Sequence, residues 1–362
     1  MKQIDMMYQT MLAELGQRSI DAAWAADFPP DGRFTPVTVK ERRYWYFDRP
    51  DGAGSRIRRY VGPADDPEIA ARVERFKAEK DDLRARRRMV SSLTREGGMI
   101  AADRMSGDVV EALAAAGLFR LRAVLIGTVA FQTYAGILGV RLPMAAILTG
   151  DADIAQDYAI SSEVGDSLPP ITNILQAIDP TFRPVPHVSG ATASSAFQTA
   201  SGYRVEFLTS NRGSDDHIGQ PASMPALGGA SADPLRFLDF LIRDPVRTIL
   251  LHKSGVPVTV PDPARYAVHK LIVASRRRTD GLSALKREKD IRQVELLVES
   301  LQQTRRVSDL VLVYNEAWER GERWQAAIRA GAAMLSDQSR DRLRACLRTG
   351  ALDIGENVTI PF

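Results

Sequence analysis

The sequence predicts an α+β protein: a mixed sheet with flanking helices, preceded by an N-terminal hairpin plus long helix and followed by a helical C-terminal unit. Three observations carry this. Short apolar runs at 123–126, 144–148 and 203–209 interleave with helix-period segments in the middle of the chain. Residues 34–61 are rich in aromatic and β-branched side chains around a Pro-Asp-Gly turn. Beyond Pro261-Asp262-Pro263 the apolar spacing is helical almost to the end.

Taken in order, residues 1–25 carry Ile4, Met7, Met11, Leu12 and Leu15 near helical spacing, and Pro29-Pro30-Asp31-Gly32 ends that helix. Tyr44-Trp45-Tyr46-Phe47 and Ile57-Arg58-Arg59-Tyr60-Val61 flank Pro50-Asp51-Gly52-Ala53-Gly54 as a hairpin. Its Tyr44, Trp45 and Tyr60, with Arg86-Arg87-Arg88, are candidates for stacking and phosphate contact with a nucleic acid; the plain alternative is packing and a solvated face. Residues 66–93 form a long charged helix whose narrow stripe of Ile69, Val73, Phe76, Leu83 and Val90 suits a strut. Gly97-Gly98 closes the first unit, giving expected units 1–97, 98–261 and 262–362.

The second unit opens with a helix at 108–116, and further short elements are expected at 171–178, 182–188, 235–242 and, as two strands about Gly255, 248–260. Residues 211–233 read as a loop dense in Gly, Ser and Pro. Helices follow at 264–275, 285–301, 307–320 and 324–335.

Bulk numbers narrow the function classes. The chain has 362 residues, 44% apolar and 26% charged, which suits two or three globular domains. No apolar run approaches the roughly 20 residues that span a bilayer, and the first residues lack a signal-peptide core. A single cysteine, Cys346, excludes an internal disulfide framework and a thiolate metal cage. A cytoplasmic, bacterial-type protein is the simplest reading. Net charge is only +3, yet arginine clusters at 86–88, 276–278 and 305–306 suit phosphate-rich partners.

The chemistry concentrates in residues 125–155. An apolar run breaks at Gly127-Thr128 into a helical pattern, and a second run delivers Asp151 and Asp153. Two residues apart on a strand, these carboxylates share a face, with Cα atoms roughly 6.5 Å apart. A glycine turn at a helix N-terminus beside them makes a place for divalent metal and phosphate. Further on, Glu206 sits between Val205 and Phe207 and faces away from both. The four histidines lack metal-ligand spacing, and no Gly-x-x-x-x-Gly-Lys loop is present.

A strand ending in Ile126-Gly127-Thr128, a helix, Asp151-Ala152-Asp153 and then Val205-Glu206-Phe207 resembles the DNA polymerase β-like nucleotidyltransferase superfamily. Tyr266-Ala267-Val268-His269-Lys270-Leu271 and Lys286-Arg287-Glu288-Lys289-Asp290 resemble the lysine helix and Lys-Asp helix of the AbiEii-type toxin branch and related bacterial proteins of this fold. The likeness spans roughly residues 105–305; Thr128 stands where the family has Gly or Ser, and the interval to Asp151 is longer than in compact members. It implies catalytic and metal-binding roles for Asp151, Asp153 and Glu206, and nucleotide-binding roles for Gly127, Thr128, Lys270 and Lys289. It also implies Mg²⁺ or Mn²⁺, an NTP substrate, an RNA (tRNA) or protein acceptor and an antitoxin partner. Two functions compete: transfer of an NMP to an acceptor hydroxyl, and nucleic-acid binding by a catalytically silent core. The three acids in order favour the enzyme.

Overall fold

A computed structural model describes residues 1–25, 32–39, 42–50, 56–143, 150–163, 166–187, 189–190, 193–211 and 220–362. Most of the turn expected at 29–32, the hairpin tip, the run 144–148 and part of the expected loop 211–233 lie outside these residues, as does the Tyr60 side chain.

Helix α1 (Met6–Ala25) is followed by an antiparallel sheet of β1 (Arg33–Val39), β2 (Arg42–Pro50) and β3 (Arg56–Pro63). The expected hairpin thus has a third strand, β1, in which Phe34 lies opposite Phe47. Phe34, Phe47 and Phe76 meet edge to face at 5.1–5.5 Å, which seats this sheet on α2 (Pro67–Arg95). Pro67 begins α2 at a position where its missing N–H costs nothing. Farther along, Val90 and Leu93 join Ile4, Leu15, Ile249 and Leu251 in a small second core. Helix α2 is thus packed at both ends, under the three-stranded sheet at one and in this second core at the other.

The central unit runs through α3 (Arg104–Ala115), β4 (Val124–Ile126), α4 (Gly127–Leu138) and β5 (Asp151–Ala155), then α5 (Tyr158–Glu163) and α6 (Ile171–Gln176). After them come β6 (Arg183–Pro184), β7 (Ala196–Gln198), β8 (Arg204–Ser210), β9 (Ala222–Ser223) and β10 (Ser231–Leu235). Seven of the described strands build one mixed sheet in the order β4-β5-β8-β10-β9, with β7 and then β6 added beside β8. Among the described strands only β5–β8 and β8–β10 pair in parallel. The strand expected over 182–188 shrinks to two residues because Pro184 and Pro186 cannot donate to a ladder. In β5, Ala152 and Ile154 turn into the core while Asp151 and Asp153 turn out; in β8, Val205 and Phe207 are fully buried while Arg204 and Glu206 are not. Burying Val205 and Phe207 contributes roughly 1.5–3 kcal/mol each and fixes which face the acids occupy.

Helix α7 (Leu238–Leu241) is shorter than expected because Leu235 still belongs to β10. The pair β11 (Val246–Leu250) and β12 (Val256–Val260) leads into α8 (Pro263–Arg276), whose start is set by Asp262 accepting from the N–H groups of Ala264 and Arg265. Then follow α9 (Gly281–Gln303), α10 (Val307–Glu319), α11 (Glu322–Ala332) and α12 (Asp337–Ile354). Gly331 of α11 lies so close to the Leu271 carbonyl of α8 that a Cβ there would meet it at 2.1 Å. One hydrophobic core runs from Ala102 in the sheet unit to Ala351 in the last helix. No helix among the described residues is long and apolar enough to cross a membrane.

Candidate active site

Parallel pairing of β5 with β8 sets Asp153 beside Glu206 and Asp151 beside Arg204. Neighbouring strands stand about 4.8 Å apart, so three carboxylates and one guanidinium share one patch of sheet. The three carboxylates floor a cleft of about 540 Å³, walled on the other side by α8 and α9. Gly127, at the first position of α4, has φ +67°, and a Cβ on it would lie 2.2 Å from Asp153 Oδ2. Glycine is therefore required twice over, for the left-handed backbone and for the carboxylate seated against it. The Tyr266 hydroxyl reaches across from α8 to within 3.0 Å of the Gly127 carbonyl and 3.1 Å of the Gln293 side chain.

The charges on the two walls oppose each other. Burial, then the negative charges of Asp151 and Glu206, push the Asp153 carboxyl up to about 7, against the pull of Lys270 and Lys286. Arg204 Nε lies 2.6 Å from Glu206 Oε1, an ion pair whose N–H is not aimed at the oxygen. Lys270 Nζ donates to Asp290 Oδ1 at 2.6 Å and sits 5.3 Å over the Tyr266 ring. Burial disfavours its charge, but Tyr266 and Asp290 more than offset this and hold the ammonium above its ordinary range. Arg277 Nε completes the Asp290 pair at 2.5 Å. His269, also on the wall, is pushed down to about 3 by burial and then by Lys270, so it is neutral.

Asp151, Asp153, Glu206, Gly127 and Lys270 thus line one cleft. Two of the expected nucleotide-binding residues stand off it: Thr128 is buried in the first turn of α4, and Lys289 is half-buried one turn beyond Lys286, which does line the wall. Burial and then Lys270 lower the Lys289 ammonium, against the pull of Asp151 and Asp290. Of the expected acceptor contacts, Arg86 is buried, donating to Asp82 Oδ2 at 2.8 Å and to the Ser254 carbonyl at 3.3 Å. It braces α2 and is closed to a ligand.

Sequence reasoning missed Arg204, Lys286 and Asp233. Arg204 was readable, since it precedes Glu206 by two on one strand face. Asp233 pairs by register with Leu208, on the same face as Glu206, which makes it a fourth carboxylate at the cleft; its partner His187 lies 3.2 Å away.

A separate trio, Asp108, Glu111 and His252, brings ligand atoms within 4.8 Å of one another and has the composition of a metal site. Lys253 Nζ, however, lies 2.7 Å from Asp108 Oδ1 and 2.5 Å from Glu111 Oε2, and His252 Nε2 lies 2.9 Å from Asp108 Oδ1. A lysine ammonium already supplies the cation there, so this cluster pins the β11–β12 turn to α3.

Residues 104–319 match the sequence profile of a family described as Nucleotidyltransferase. No curated protein and no solved structure matches the chain.

Proposed function

From the chain's membership of this nucleotidyltransferase family, which makes it a nucleotidyltransferase with an NTP as substrate, we propose that Asp151, Asp153 and Glu206 form the catalytic centre for transfer of an NMP to an acceptor hydroxyl. The observation that carries this is Asp153 seated against Gly127, between Asp151 and Glu206, in a cleft faced by Lys270.

The donor set suits a hard divalent cation, because burial first, and then the charges of Asp151 and Glu206, disfavour a bare Asp153 carboxylate that a cation would neutralise. Asp151 and Asp153 would hold Mg²⁺ or Mn²⁺, and Glu206 a second ion; when bound, such ions neutralise charge on the triphosphate and acidify the acceptor hydroxyl. The chain's own groups do the positioning that phosphoryl transfer depends on. Gly127 leaves room for phosphate oxygens beside Asp153. Lys270, held by Asp290, meets the distal phosphates as a point charge, with Lys286 and, farther back, Lys289 adding positive potential. Thr128 supports the turn from inside α4. Glu206, steadied by Arg204, is placed to take the proton of the attacking hydroxyl.

In this reading the segments divide the work: 98–261 carries the acids, 262–362 the phosphate-binding lysine, and 1–97 braces them. The AbiEii-type likeness of α8 and α9 extends the proposal to an RNA acceptor, a tRNA 3′ end foremost, or a protein side chain. It also suggests a cytoplasmic toxin kept in check by an antitoxin.

Asp153→Asn tests the centre. It keeps volume and removes one of the crowded charges, so the protein should fold, while transfer of α-labelled nucleotide to total RNA or protein should fall by orders of magnitude. Wild-type transfer by a variant with a normal thermal melt would end the proposal.

A further inference from the structure

A second cleft, of about 1050 Å³, adjoins the acidic one, and Asn211, Arg236, Phe237 and Arg276 line both. Its far wall carries Arg320, Arg323 and Trp324 from α10 to α11. Arg320 is engaged, donating to Asp239 at 2.7 Å and Glu316 at 2.8 Å. Arg276 and Arg323 differ: both are exposed, and neither forms an ion pair with a described residue. Arg276 rests 5.3 Å over the Phe237 ring, which in turn meets Trp324 edge-on at 4.5 Å.

Phe237 holds φ +69°, a conformation that costs a bulky residue on the order of 1–3 kcal/mol and collects at ligand-binding sites. Here it puts an aromatic support for Arg276 on the wall that both clefts share. The clefts also differ in how their charge is laid out. In the first, four carboxylates are gathered on the sheet floor opposite the basic groups of α8 and α9, whereas in the second four arginines face two acids, Asp239 and Glu322. A polyanion therefore approaches the acids most easily along the second cleft.

From this the geometry points to the acceptor: a single-stranded nucleic acid whose phosphates lie on Arg323 and Arg276 and whose terminal hydroxyl reaches Glu206 through the shared wall. This rests on the catalytic reading above, and it moves the acceptor surface away from the N-terminal sheet. Arginine suits the task because its planar fork grips phosphate in two places.

The test uses the full chain, with labelled single-stranded RNA and DNA of one sequence, followed by anisotropy across a salt series. Mg²⁺-dependent binding of a non-hydrolysable NTP is measured beside it. Arg323→Glu, with Arg276→Glu as a second variant, should weaken oligonucleotide binding about ten-fold or more. Each should also flatten the log–log salt slope by roughly 0.7 per lost phosphate contact. Arg323→Glu should leave NTP affinity within about two-fold, because Arg323 lines only the second cleft. The ratio of RNA to DNA affinity identifies which nucleic acid the cleft prefers. Unchanged oligonucleotide binding in both variants overturns the proposal, as does failure of the wild type to bind either strand. A loss of NTP affinity alone overturns it too, since the cleft would then hold the nucleotide's base. Absence of Mg²⁺-dependent NTP binding in the wild type would instead defeat the catalytic reading, and leave the oligonucleotide result standing.

Discussion

Gly127→Ala separates the two reasons for glycine at the head of α4. A non-glycine residue at φ +67° costs about 1–2 kcal/mol, which for a chain of this size lowers Tm by a few degrees. The new Cβ would also lie 2.2 Å from Asp153 Oδ2, where ordinary contact begins near 3.4 Å, so the oxygen must retreat about 1.2 Å. The carboxylate is the free end of a side chain and can swing, so this second effect reads out mainly in catalysis. A displacement near 1 Å at a reacting centre costs about 10²-fold in rate. Gly355→Ala is the control. That residue holds φ +69°, and an alanine methyl there would have no neighbour within 4 Å, so it carries the backbone cost alone. The assay is transfer of α-labelled nucleotide beside a thermal melt. Both variants should melt lower by similar amounts, and only Gly127→Ala should lose transfer. Equal transfer by the two would refute the link between the glycine turn and Asp153.

Three further outcomes follow from the same contacts. Lys270→Ala should raise the KM for NTP and also lower stability by about 1–3 kcal/mol, because among the described residues buried Asp290 then keeps only Arg277 as an ion-pair partner; adding Asp290→Asn should restore the melt without restoring KM. For His269 the folded pKa, about 3, lies below its unfolded 6.5, so only the unfolded chain takes up the proton as pH falls. Its contribution is thus present above pH 6.5 and lost on acidification, by roughly 3 kcal/mol between pH 7 and 4. Denaturant unfolding of His269→Asn should lack that slope; parallel curves for the two proteins would contradict it. Asp48, buried and held down to about 2 chiefly by Arg58 and Thr35, stabilises the N-terminal sheet above pH 3.8 and loses this as pH falls through 2. Arg58→Ala should cost about 2 kcal/mol at pH 7, measured by limited proteolysis of that sheet.

The acids were legible because a two-residue period is a local signal. Ala152 and Ile154, like Val205 and Phe207, must enter the core, and the residues between them must then leave it. Helix α8 was legible from its Asp262-Pro263 start. Asp233 was not, since its place depends on β10 lying parallel to β8, a pairing across some 20 residues of chain that no local pattern encodes. Helix α12 escaped notice because its buried stripe of Leu343, Cys346, Leu347, Gly350 and Ala351 is made largely of small side chains among charged ones. Arg86 looked like part of a solvated cluster, although Asp82 one turn earlier already offered it a partner. Between Lys286 and Lys289, three residues of helix decide which one meets the cleft, and that choice is set by how α9 packs on α8.

Tyr266 joins the two walls in a single ring. Its hydroxyl meets the Gly127 carbonyl, and its face carries the Lys270 ammonium. The separation between acids and lysine is therefore a fixed gauge, set by an aromatic ring that neither stretches nor bends. Under the proposed function a phosphate chain would have to match that gauge, and one phosphate too few would leave the lysine unmet. Discrimination between tri- and diphosphates should then be keen in the wild type and blunted in Tyr266→Phe, where the ring remains but its tie to the glycine is cut. Equal discrimination in both would show that the gauge is set elsewhere.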